Sequence, residues 1–241
     1  PTEKTKRSND RHRPIGLGVQ GLADVFFRFG LPFNSPEAKS LDGKILATMY
    51  YAALDASCDL ARDSAPYETF QGSPLSQGKF QFDLWGIEPD HRYNWNLLRS
   101  KIMKYGVRNS LAIALMPTAS TSQIFGNTEA FEPITSNLYK RQTLAGEFVV
   151  INKYLIRELE TLGLWTAEMR DKIVREGGSI QNIPEIPVQI REVFRTVWEI
   201  SQRDLIDHAA VRGPYVCQSQ SMNLFFSKPS FGTINSALFY S

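Results

Sequence analysis

Apolar residues along this chain recur mainly at three- and four-residue spacing, and this helical periodicity is interrupted by segments rich in Gly, Pro, Ser and Gln. Residues 1–13 are polar and basic and read as a loop or frayed, flexible N-terminal tail. Pro14 suits an early helical position, and Val19, Leu22, Ala23, Phe26, Phe27 and Phe29 form a broad apolar face that Gly30 ends. Ser35-Pro36-Glu37 is a second helix start, with a hydroxyl cap, a proline and a first-turn acid. The stripe Leu46, Met49, Tyr50, Ala53, Leu54, Cys58, Ala61 carries that helix on for several turns. Residues 66–89 form a long irregular connection, and a helix covers Trp95 to Tyr105. Ser110 to Met116 reads as a buried strand, apolar on both faces, which Pro117 stops. Asn127 to Asn137 is rich in turn residues, and residues 152–176 and 188–212 carry two further helical patterns separated at Pro184 and Pro187. Tyr215–Val216 and Met222 to Phe226 are short strand candidates, and Ser230 caps a last helix. Strands separated by helices and long connections define an α/β architecture.

Composition narrows this picture without redirecting it. The 241 residues are 42% hydrophobic and 22% charged, enough for one large core. A net charge of +2 supplies no field that would recruit nucleic acid or an anionic membrane, so a charged ligand must be held locally. No apolar run reaches the roughly 20 residues that span a bilayer, and the first residues do not form a signal peptide. With Cys58 and Cys217 as the only cysteines, the chain reads as soluble and cytoplasmic. It begins at Pro1 and stops directly after an apolar segment, which reads as a piece of something longer.

The candidate chemistry concentrates after Pro117. Thr118, Ala119, Ser120 and Thr121 offer backbone N–H groups and three hydroxyls just before Ser122-Gln123-Ile124-Phe125 begins a helix. Unpaired amides there, helped by the helix dipole, suit a phosphate or carboxylate. The plainer alternative is that Thr118 or Ser120 simply caps the helix.

Other constellations favour structural roles. Gly16-Leu17-Gly18-Val19-Gln20-Gly21 fits the G-x-G-x-x-G dinucleotide pattern, but Arg11-His12-Arg13-Pro14 is not the buried strand which that motif requires. Its glycines therefore read as permitting close helix packing. Cys58 lies on an apolar helical stripe and Cys217 lacks a basic neighbour, so neither reads as a redox partner. His12, His91 and His208 have no ligands at metal spacing. Glu129, Glu132 and Glu147 read as solvated acids, and the tandem Tyr50-Tyr51 reads as core.

Trp95-Asn96-Leu97-Leu98, then Gly106-Val107-Arg108-Asn109, then Ala114-Leu115-Met116-Pro117 resembles the signature of ribonucleotide reductase large (catalytic) subunits of class I, eukaryotic type. Further runs look like the same family in the same order: RPIGLGVQGLAD from Arg13, ASCDLA from Ala56, PYETFQGSP from Pro66, MPTAST from Met116, IQNIPEIP from Ile180, VWEISQ from Val197 and QSQSMN from Gln218. The likeness covers nearly the whole chain. It implies a ten-stranded α/β barrel made of two five-stranded halves, of which this chain supplies most of the second.

The resemblance also implies a ligand. In that family the segment matching Pro117, Thr118, Ala119, Ser120 and Thr121 binds the diphosphate of the ribonucleotide substrate. It further implies a radical-generating, metal-containing small subunit, a large-subunit homodimer, a thioredoxin- or glutaredoxin-type reductant and ATP or dNTP effectors. No cofactor, metal, nucleic acid or membrane is expected to bind this segment directly. The family's radical cysteine stands in an Asn-Leu-Cys-x-Glu segment that is not found here, and neither Cys58 nor Cys217 matches the family's reducing pair. Leu115 replaces a proline frequent in relatives, and Cys217 replaces an acid. Two competing expectations are a nicotinamide dehydrogenase using the glycine run and a non-catalytic structural segment with no ligand of its own.

Overall fold

The computed structural model describes residues 2–143 and 146–241. In chain order its elements are α1 (Glu3–His12), α2 (Leu22–Phe29), α3 (Pro36–Asp63), α4 (Gln81–Trp85), α5 (Trp95–Tyr105), α6 (Thr121–Phe125), a hairpin of β1 (Leu138–Thr143) and β2 (Gly146–Ile151), α7 (Lys153–Thr161), α8 (Ala167–Arg175), α9 (Val188–Val193), α10 (Gln202–Arg212) and α11 (Phe231–Tyr240). They pack as two compact units. One comprises Pro1–Val19, Ser40–Pro117 and His208–Ser221; the other comprises Gln20–Lys39, Thr118–Asp207 and Met222–Ser241.

The first unit is built on aromatic packing. Trp95, at the start of α5, has ring centroids 4.8 Å from Phe82, 5.4 Å from Phe80 and 6.1 Å from Tyr50. The polar tips in this cluster are satisfied: Gln81 N–H donates to Tyr50 Oη, and Trp95 Nε1–H donates to the Asp90 carbonyl. Tyr50 is thus a core residue as its stripe position predicts, and burial pushes its phenol far above the usual range. Tyr51 stacks on Tyr93 at 4.7 Å.

Beside this core lie three extended segments joined in parallel. Leu17 bridges Ile113, and Leu115 bridges Gln220. The ladder runs Leu17 N to Ala112 O at 2.8 Å, Ala114 N to Leu17 O at 2.9 Å, Leu115 N to Ser219 O at 3.1 Å and Ser221 N to Leu115 O at 2.9 Å. Ala112, Ile113 and Leu115 are buried, but Leu111 and Met116 are exposed and the segment is held by isolated bridges, so the continuous buried strand expected over Ser110 to Met116 is not formed.

This ladder corrects the helix expected from Pro14, because residues 15–17 spend their backbone donors on residues 111–112 and α2 starts only at Leu22. It also corrects the role given to the glycine run. A Cβ on Gly18 would stand 2.8 Å from the Ala114 carbonyl oxygen, so the glycine serves strand-to-strand approach rather than helix packing. Gly18→Ala is expected to destabilise the chain by about 1–3 kcal/mol, the usual cost of overpacking, read as a lower urea midpoint.

The second unit is centred on Phe27, Leu138, Leu155, Leu159, Ile173, Ile180, Ile186 and Phe194, with Phe27 stacked on Phe194 at 4.9 Å. The β1–β2 hairpin pairs antiparallel from Leu138 with Ile151 to Thr143 with Gly146. The helical pattern over 152–176 divides into α7 and α8, because Gly163 at φ +67 ends the first and the Thr166 hydroxyl caps the second. That over 188–212 divides into α9, a 3-10 turn at Val197–Glu199 and α10.

The terminal expectations split. Residues 3–12 form an exposed helix in place of the expected loop, capped by the Thr2 hydroxyl and supported by Lys6–Asp10 at 2.7 Å. Tyr215 closes a 3-10 turn and Met222 to Phe226 has no strand, so those two strand candidates fail. Ser230 caps α11 through a hydrogen bond from Thr233 N, as its position predicts. Among the described residues no helix is long and apolar enough to cross a membrane.

Candidate functional site

Pro117 ends the apolar segment, and Thr118 turns the chain with φ +55, a left-handed conformation that a β-branched residue rarely adopts. The turn is braced from outside. Thr118 Oγ1 accepts from Ala130 N at 2.7 Å, and Ala130 itself has φ +46. Thr118 O accepts from Ser122 N at 3.0 Å and starts α6, which at five residues is a single turn. The helix dipole invoked from the sequence is correspondingly short, and the local amides are the main resource.

Those amides are available. Ala119, Ser120 and Thr121 are exposed, and none of their backbone N–H groups donates a hydrogen bond within the described residues. The three hydroxyls differ. Ser120 stands at the N-cap of α6, where its carbonyl accepts from Ile124 N at 3.3 Å and its hydroxyl makes no capping hydrogen bond. Thr118 accepts from Ala130 and keeps its own proton to donate. Thr121 donates to Gln20 Oε1 at 2.9 Å, the nearer of two acceptors, with Thr118 O at 3.4 Å. Ser122 is fully buried, and its hydroxyl has no hydrogen-bond partner among the described residues.

A second brace comes from α2. Asp24, 8% exposed, accepts from both the backbone N and the Oγ1 of Thr128, each at 2.6 Å. Gly21 N donates to Thr128 O and Leu22 N to Ala130 O. Sequence reasoning missed Gln20, Asp24, Thr128 and Ala130 as supports, since Gln20 and Asp24 stand 101 and 104 residues from their partners Thr121 and Thr128 and no periodicity links Ala130 to Thr118.

The other candidates find structural partners. Glu132 accepts from the backbone N and the side-chain amide of Asn223; Glu129 accepts from Gln123, and Glu147 pairs with Lys140. His12 Nδ1 lies 2.9 Å from Thr69 Oγ1, and His91 is exposed. His208 Nδ1 and Arg212 Nη1 both lie 2.7 Å from Asp42 Oδ2 in a cluster that is at most 3% exposed. Among the described residues no three His, Cys, Asp or Glu side chains are grouped to hold a metal.

Both cysteines are free thiols. Cys217 Sγ accepts from the backbone N of Ala112 and Ile113 at 3.1 and 3.2 Å. Cys58 is fully buried, and that burial pushes its thiol pKa up. Iodoacetamide at pH 8 is therefore expected to leave Cys58 unlabelled in the folded chain and to label it in urea, as read by mass spectrometry.

Comparison with known proteins identifies the family of this chain. The family model "Ribonucleotide reductase, barrel domain" matches residues 1–241, and the chain belongs to that family. Among individual proteins, it is 54% identical to a ribonucleoside-diphosphate reductase large subunit of Caenorhabditis elegans and 55% identical to one of Arabidopsis thaliana, each over 240 residues. Those alignments take in 100% of this chain but 30% and 29% of the relatives, so the chain spans less than a third of their length. In structure it is similar to the Actinobacillus ureae class Id ribonucleotide reductase alpha subunit, with a TM-score of 0.75 and 27% identity over 97% of this chain and 38% of that one. The helix-rich fold with few strands is that of part of an α/β barrel.

Proposed function

We propose that this chain is the substrate-diphosphate-binding part of a cytoplasmic ribonucleoside-diphosphate reductase large subunit, which reduces ribonucleoside diphosphates to deoxyribonucleoside diphosphates for DNA synthesis. The observation that carries this reading is the run Pro117, Thr118, Ala119, Ser120, Thr121, where the backbone N–H groups of the exposed residues 119–121 and the Ser120 hydroxyl have no partner among the described residues. The segment from Pro117 to Gly126 contains no charged residue. Backbone N–H groups converging on one point hold phosphate without a cationic side chain.

In this reading the turn orients the nucleotide. The radical chemistry belongs to other parts of the subunit, since no Asn-Leu-Cys-x-Glu segment is present here. The small radical-generating subunit, the second large subunit, the thiol reductant and the ATP or dNTP effectors act on the whole assembly.

The test is Ser120→Ala in a full-length subunit carrying this barrel. Loss of one hydrogen bond to a charged group weakens ribonucleoside diphosphate binding by about 1.5–3 kcal/mol and leaves binding of the unphosphorylated nucleoside unaffected. Equal losses for both ligands would place Ser120 away from the phosphates.

A further inference from the structure

The glycine-rich run of residues 16–21 does not sit after a buried strand as a dinucleotide motif does, yet its fifth residue reaches the hydroxyl turn. Gln20 Oε1 accepts the Thr121 hydroxyl proton at 2.9 Å, and the Gln20 amide nitrogen makes no hydrogen bond within the described residues. The backbone following Gln20 is fixed. Gly21 at φ +78 donates to Thr128 O, and a Cβ there would meet Asn127 Cβ at 3.3 Å. Asp24 then grips Thr128 twice, and Ala130 N grips Thr118 Oγ1. Gln20 is thus anchored against the segment that braces the turn.

This arrangement has a chemical consequence. A threonine hydroxyl has one proton to donate, and Gln20 Oε1 at 2.9 Å is its nearer acceptor, against 3.4 Å to Thr118 O. A diphosphate oxygen accepts hydrogen bonds, so it competes with Gln20 for that proton. A primary amide resolves the conflict. Rotation by half a turn about its last torsion exchanges Oε1 for Nε2, after which Gln20 donates to Thr121 Oγ1 and the threonine proton is released to the phosphate.

We propose that Gln20 is a positioning residue for the substrate diphosphate, whose side-chain amide reverses on nucleotide binding and turns the Thr121 hydroxyl onto the phosphate. This rests on the reading of residues 117–121 as the diphosphate site. Glutamine suits this role because it offers both a donor and an acceptor at the same reach. Glutamate offers only acceptors at neutral pH and adds a negative charge beside the ligand.

The experiment measures KM and kcat for a ribonucleoside diphosphate in the full-length holoenzyme carrying Gln20→Glu, Gln20→Leu, Thr121→Val and the double variant Gln20→Leu/Thr121→Val. Gln20→Glu is expected to raise KM by roughly tenfold or more, the scale of one hydrogen bond to a charged group, with the change falling on KM rather than kcat. Gln20→Leu raises KM less, and it adds nothing once Thr121 is valine, because Gln20 acts through that hydroxyl. Circular dichroism of each variant separates these effects from loss of fold. Parental KM in both Gln20 variants, or in Thr121→Val, overturns the role of Gln20 while the amides and Ser120 still serve the diphosphate. Parental KM in Ser120→Ala as well overturns the diphosphate reading itself.

Discussion

Asp42→Ala is expected to lower the stability of the chain by about 3–5 kcal/mol, the cost of removing one partner from a buried ionic pair. Asp42 is 0% exposed, and one of its oxygens takes hydrogen bonds from both His208 and Arg212 at 2.7 Å. His208 and Arg212 stand four apart on α10, so both reach the same carboxylate on α3. Truncating the carboxylate takes from the Arg212 guanidinium, 3% exposed, the Asp42 oxygen that lies 2.7 Å from it. The effect reaches the ladder, because Arg212 Nε also donates to Gln220 Oε1 and Gln220 bridges Leu115. Asp42→Asn keeps an acceptor for one of the two donors and loses less. The readout is the urea midpoint followed by tryptophan fluorescence, with an unchanged slope indicating that stability alone has moved. A loss below about 1 kcal/mol would mean that this cluster contributes no more than an exposed ion pair.

The double substitution Ser120→Ala/Thr121→Val carries the largest expected effect on ligand binding. Each hydroxyl that donates to a charged phosphate contributes about 1.5–3 kcal/mol. The two residues are neighbours, and the Thr121 proton must first leave Gln20, so the losses do not simply add. A combined loss of about 3 kcal/mol is expected, roughly a hundredfold in Kd. The exposed amides of residues 119–121 survive both changes, so binding is weakened and not abolished.

Elements defined by local chemistry were legible in the chain. Ser35-Pro36-Glu37 starts α3, where the Ser35 hydroxyl accepts from Ala38 N at 3.1 Å, and Ser230 starts α11 in the same way. Helix α5 follows its apolar spacing. Features defined by distant partners were not legible. Residues 15–17 look helical from Pro14 and the apolar face beyond, yet their donors go to residues 111–112, and no local pattern encodes a parallel partner that far away. The β1–β2 hairpin escaped notice because Phe148 and Val149 face solvent, so the pair lacks the apolar-in, polar-out alternation of a half-buried strand. In the site, the position of the turn was legible from Pro117 and the hydroxyl cluster. Its hydrogen bonding was not: which hydroxyl proton is free depends on Gln20 and Ala130, which only folding brings to Thr121 and Thr118.

The most direct measurement of the central claim is titration calorimetry of a ribonucleoside diphosphate into the full-length subunit, with and without Ser120→Ala/Thr121→Val. The account predicts a Kd weaker by roughly a hundredfold in the double variant, with the unphosphorylated nucleoside binding as before. The same diphosphate Kd in both proteins would contradict it.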